Sequence, residues 1–256
     1  MAERRYRTAG WVLGTSVAIA ATLSAGVSLG GSGRPLPGPP GICTPIDIGS
    51  QREVIDKEYA AIKPADVVGG IIALLDKHQD HAMLRMEILR RAIGFGDSKG
   101  AQVPDALMLR LAVRAAALAG NEKKDVTAAA LFDAGYWIYQ RSVLDESVDR
   151  KLGEAEGLPG YGLIRQALKI KDDNEMSLGA TFATLPAMHG GDGPSKAKFL
   201  KLFKGHATDA LKGAPAGGEI ERNLTYFLSV EGLSIDDVRA KPTPAAPRTT
   251  STTGPR

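Results

Sequence analysis

From residue 51 to about 240, apolar side chains recur every three or four positions, and no segment shows the sustained alternation of a half-buried strand. In QREVIDKEYAAI, residues 51–62, Val54, Ile55, Tyr59 and Ile62 fall at helical spacing. Pro64 then opens a second helix, PADVVGGIIALLDKH, as a first-turn proline does. Gly69 and Gly70 weaken that helix or let a neighbour come close. HAMLRMEILRRAIGF puts Met83, Met86, Ile88, Leu89 and Ile93 on one broad face, with Gly94 and Gly96 as its expected stop. Residues 104–119 start at Pro104 and Asp105, close on Gly120, and are apolar nearly all round, which predicts a central helix. Residues 124–145 carry Leu131, Phe132, Tyr136, Trp137 and Tyr139, a cluster expected to fill the core.

Two later stretches resemble each other. Ala167-Leu168 aligns with Ala210-Leu211, and Glu175-Met176 with Glu219-Ile220, given one residue of slack. Each unit reads as a helix ending in A-L-K, a polar turn and a second helix. The turns hold helix-start signals, Asp172-Asp173-Asn174 in one and Pro215 with Gly217-Gly218 in the other. The spacing of about forty residues suits a helical-hairpin repeat. Here the chain resembles the tetratricopeptide class, whose repeat boundary often reads A-L-x-[LI]-x-P-x-N-x-E, although Asp172 stands where that family has proline. The resemblance implies stacked antiparallel helix pairs acting as a binding scaffold, and it carries no functional residue with it. Equivalence of the units would place Leu168 and Leu211 inward and Lys169 and Lys212 outward. The expected fold is all-α, either a solenoid-like hairpin repeat or an irregular helical bundle.

Composition changes the picture chiefly at the ends. Residues 3–7, ERRYR, precede twenty uncharged residues, 11–30, about enough to span a bilayer. A basic flank before such a run marks a transmembrane signal anchor or a cleaved signal peptide. In both readings Arg4, Arg5 and Arg7 stay cytoplasmic and the body lies outside the cytoplasm. The organisation expected is a basic N-terminus, 1–10; the membrane or signal segment, 11–30; a Gly/Pro-rich linker, 31–49; a helical body, 50–240; and a Pro/Thr-rich disordered tail, 241–256. The single cysteine, Cys43, excludes an intramolecular disulfide and a cysteine-based zinc or haem site. A net charge of +3 argues against a nucleic-acid binder.

No stretch carries a catalytic signature, and no metal or cofactor is expected. His78 and His81, in KHQDH, are spaced to share a metal but lack a third ligand and read as a solvated turn. His189 and His206 read as isolated. Arg110 and Arg114, four apart, read as snorkelling side chains and not as an anion pair. MHGGDGPSK lacks phosphate-loop spacing. Asp145, Glu146, Asp149, Glu154 and Glu156 fall in a loop-like region with GLPG after it, and read as a solvated charged turn. Lys196, Lys198, Lys201 and Lys204 alternate with Phe199, Leu200, Leu202 and Phe203, a basic amphipathic helix suited to a partner protein or lipid headgroups. The functional expectation is a membrane-tethered scaffold that binds another protein of a bacterial cell envelope without catalysis. The alternatives are an envelope enzyme or accessory subunit with a cleft between helices, and a cleaved, soluble periplasmic or secreted binding protein.

Overall fold

The computed structural model describes residues 45–99, 102–144, 148–149, 151–190 and 194–239. The membrane or signal segment, most of the linker with Cys43, and the tail lie outside the described residues. Among the described residues there is no strand, and no helix is long and apolar enough to cross a membrane.

Among the described residues ten α-helices follow one another: α1 Arg52–Ala60, α2 Val67–Lys77, α3 Ala82–Lys99, α4 Gln102–Leu118 and α5 Lys124–Leu144. Then come α6 Tyr161–Ile170, α7 Asn174–Gly190, α8 Pro194–Leu211, α9 Glu219–Val230 and α10 Ile235–Arg239. Local chemistry sets several of these ends. The 3₁₀ turn Pro64–Asp66 leads into α2, and the Asp66 carboxylate accepts the Gly69 N–H at 3.0 Å, satisfying one of the open donors of the first turn. Asp173 caps α7 in the same way, accepting from Glu175 N and Met176 N at 3.0 Å each.

Three expectations about helices change. Helix α3 runs through Gly94 and Gly96 to Lys99. A mid-helix glycine costs only about 1 kcal/mol, less than a long buried face returns. Helix α4 starts two residues ahead of Pro104, so the proline sits in its first turn. Nor is α4 central: Leu107, Leu111, Ala112 and Ala115 are buried, while Leu109 and Val113 are about half exposed. The enclosed helix is α5, whose residues Thr127 to Gln140 are all buried. Four large aromatics give α5 the volume to fill a centre, which the alanines of α4 lack.

Helices α3, α5 and α7 pack on one another in the middle. Neighbours in sequence form hairpins around them, most extensively α5 with α6 and α7 with α8. Phe182 of α7 packs against Phe227 of α9 with ring centroids 4.2 Å apart and the rings tilted by 51°. The body also begins earlier than residue 50. Ile46 and Ile48 are buried, Ile46 N donates to the Glu87 carboxylate of α3, and Asp47 N donates to Asn223 Oδ1 of α9 at 2.8 Å. Arg222 answers by donating to Asp47 at 2.6 Å. The two ends of the body are therefore tied together.

Among the described residues the fully buried charges, Arg85, Glu87 and Asp133, are all paired, as the cost of desolvation requires. Arg85 of α3 is fully buried and donates to Asp133 of α5 through Nε at 2.8 Å and again through Nη2. Its remaining donors reach Gln79 O at 2.8 Å and Ala129 O at 2.6 Å. Arg114 of α4 adds a bond to Asp133 at 3.1 Å and pairs with Asp76. Glu87, also fully buried, is held by Arg90 and Arg91. Burial pushes its carboxyl up, but the bonds from Arg90 and Arg91 outweigh that and leave it below the usual carboxylate range.

Candidate partner-binding site

The segment between α5 and α6 folds onto α5 through two glycines. A Cβ on Gly160 would fall 2.1 Å from Gly135 O, and one on Gly135 would fall 2.6 Å from Gly160 O. Only glycine on both sides permits this backbone approach. The loop is closed by Gly160 N to Leu152 O at 2.8 Å and Gly162 N to Gly153 O at 2.7 Å. At its tip Ala155 and Leu158 exchange both backbone bonds around Glu156 and Gly157, whose φ angles are 61° and 83°. Two successive left-handed residues make a turn that favours Asn-Gly or Gly-Gly. Among the described residues Glu156 is the sole non-glycine with positive φ.

That backbone lifts the Glu156 carboxylate between two helices. Oε2 lies 2.7 Å from Lys198 Nζ of α8, and Oε1 accepts from Arg165 Nη1 of α6 at 3.2 Å. The Lys198 bond, with its charge, holds the carboxyl below the usual range. Arg165 in turn lies over the Tyr161 ring, 5.9 Å from its centroid. Tyr161 is buried, and its Oη shares a 2.5 Å hydrogen bond with Nε2 of His206 on α8. Burial pushes the Tyr161 phenol up to about 12 and the His206 imidazole down, so both are neutral at pH 7. In front of His206 opens a recess of about 370 Å³ lined by Glu156, Lys198, Lys201, Leu202, Gly205, His206 and Asp209.

The candidate lysines divide. Lys196, Lys198 and Lys201 are exposed, while Lys204 is half buried beside α10. Phe203 is fully buried and Phe199 half buried, so the apolar side of α8 is spent on the core. His206, expected to be isolated, has Tyr161 as its partner, and the acidic loop contributes one carboxylate, Glu156. Asp149 and Glu154 are exposed away from that role, and Asp145 and Glu146 lie outside the described residues, as do the side chains of His189 and the glycine stretch around it. No sequence spacing brings 156, 165, 198 and 206 together. The readable signal was E-G at 156–157, where a hairpin turn would prefer N-G.

Elsewhere the histidines read as a solvated turn and the arginines read as snorkelling side chains each divide between a packed member and another role. His78 Nε2 meets Glu58 Oε2 of α1 at 2.7 Å, whereas His81 faces a smaller recess of about 230 Å³ with Ser50, Gln51, Glu175 and Glu219. Arg114 joins the Asp133 network and Arg110 is exposed. The two A-L-K turns lie side by side: Asn174 Nδ2 donates to Lys212 O at 2.5 Å. Ala167 and Ala210 are fully buried, Leu168 and Leu211 only partly, and Lys169 and Lys212 are exposed. The inward position of each unit is thus the alanine, with the leucine at the rim of the helix contact.

Comparisons with family models, with curated proteins and with solved structures gave no match.

Proposed function

We propose that this chain is a non-catalytic scaffold of helical hairpins, related in plan to the tetratricopeptide class, that recognises another protein of the cell envelope. In this reading residues 11–30 tether or export it, and the helical body works outside the cytoplasm. The observation that carries the reading is the Glu156–Lys198–Arg165 cluster. Its charged groups stand on the outer face at a shallow recess, held by a strained turn, and none of them is aimed at an enclosed apolar pocket. Enclosed apolar pockets with a few convergent polar groups mark small-molecule sites, whereas exposed, shaped and charged surfaces suit protein partners. Because the two ends of the body are joined through Asp47 and Arg222, recognition is assigned to this outer face and not to an open groove.

The scaffold reading is tested by crosslinking in intact cells that carry the full chain, with a photoreactive side chain placed at Lys201 or, as control, at the exposed Lys57. A discrete crosslinked protein at 201 and none at 57 supports it. Absence of any crosslink at 201 refutes it. Topology is tested separately. The body should resist added protease until the outer barrier is opened, and a fused reporter active only in the cytoplasm would overturn export.

A further inference from the structure

We infer that Glu156 is a resident stand-in for an acidic side chain of the partner, and that Lys198 and Arg165 form the seat which that partner's carboxylate takes. The inference deepens the scaffold reading and rests on it. A carboxylate in solvent gains little from ion pairs that water screens. Left-handed backbone disfavours residues other than glycine, asparagine and aspartate. Glu156 therefore combines a weak return with a strained conformation, although glycine stands at the next position and would suit this one. Strain of this kind persists where the conformation serves a function. What it does here is hold a carboxylate across two cations that come from different helices, Arg165 on α6 and Lys198 on α8. Loop 151–160 is thereby latched to α8 by groups that a second carboxylate can displace.

The patch favours an acidic polypeptide over an anionic membrane. Insertion into a bilayer surface needs an apolar face beside the lysines, but Phe203 is buried and Phe199, Leu200 and Leu202 pack on the core or are half covered. Glu156 and Asp209 also stand within the recess and would face the headgroups. An acidic chain avoids that conflict by replacing the first and passing the second, with Lys201 on the recess wall as a further contact.

The test uses the full chain in neutral detergent micelles and a fluorescently labelled, Glu-rich peptide, read by anisotropy, with a Lys-rich peptide as control. Glu156→Gly removes the competing carboxylate and supplies the residue this backbone prefers, so the variant keeps its helical spectrum. It should bind the Glu-rich peptide about fivefold more tightly than the parent, since a seat occupied most of the time lowers apparent affinity by its free fraction. Lys198→Ala in the Glu156→Gly background should return binding to the level of the Lys-rich control, and raised salt should weaken it. Unchanged or weaker binding by Glu156→Gly overturns the inference. So does binding of the reconstituted chain to vesicles containing phosphatidylglycerol that depends on Lys198 while the peptide is ignored. If the crosslink at 201 persists but Glu156→Gly and Lys198→Ala leave its yield unchanged, the seat is wrong and the scaffold reading survives. If the crosslink is absent, the scaffold reading itself fails.

Discussion

The buried pair Arg85–Asp133 makes a sharp, asymmetric prediction about stability. Both side chains are fully buried, so neither charge has water to fall back on. Asp133→Ala leaves the Arg85 guanidinium with only the carbonyls of Gln79 and Ala129, and takes a partner from Arg114. Removing one member of a buried ion pair costs about 3–5 kcal/mol. For a body of this size each kcal/mol moves the melting temperature by about 2–4 °C, so a fall of roughly 6–20 °C is expected. Arg85→Met is milder, at about 2–3 kcal/mol, because Asp133 keeps Arg114 at 3.1 Å as a charged partner. The double variant should lose less than the sum of the two by about 1–3 kcal/mol, the coupling expected of groups in one network. Urea and thermal melts of the full chain in micelles, followed by far-ultraviolet circular dichroism, measure all four corners of the cycle. Asp133→Ala costing under about 1 kcal/mol, or less than Arg85→Met, would refute the buried network as the organiser of the α3–α5 contact.

Removing everything before residue 50 deletes Ile46 and Ile48 together with the bonds to Glu87 and Asn223, and should cost about 3–6 kcal/mol relative to a chain starting at residue 44, read as a lower urea midpoint. At the two A-L-K turns, Ala167→Leu and Ala210→Leu should each cost about 1–3 kcal/mol by overpacking, while Lys169→Ala and Lys212→Ala stay within about 0.5 kcal/mol; a large cost at only one of the two alanines would end the equivalence of the units. Stability should fall in two stages as pH is lowered. Burial depresses His206, so its contribution is present above its ordinary value of 6.5 and drains as pH falls from there through its lowered value; Glu87, held low despite burial by Arg90 and Arg91, keeps its contribution down to about its ordinary 4.5 and loses it below. His206→Gln should remove the first stage in urea melts across pH and leave the second.

What the chain reveals in advance follows from what periodicity encodes. The helices were legible because apolar spacing and cap residues such as Pro64, Asp66 and Asp173 are local signals. Which helix sits in the middle was not, because hydrophobicity measures willingness to be buried and not competition for the centre. Helix α4 is apolar enough for the centre, yet the aromatic volume of α5 takes that place. Glycine misled at 94 and 96, where a helix absorbs it, yet mattered at 135 and 160, where two backbones cross. The buried charges and the candidate site were hidden for a related reason. Arg85 and Asp133 are forty-eight positions apart, and Tyr161 and His206 forty-five, and a charged or polar residue reads as surface until its partner is known. Glu156 is different, because its oddity is local. The step E-G at 156–157 stands in the sequence, but the left-handed turn that makes a glutamate unusual there is given by the fold, which gathers Arg165, Lys198 and His206 at the same spot. A local preference broken where distant charged groups converge is the feature expected of a functional or strained site that carries some cost to stability.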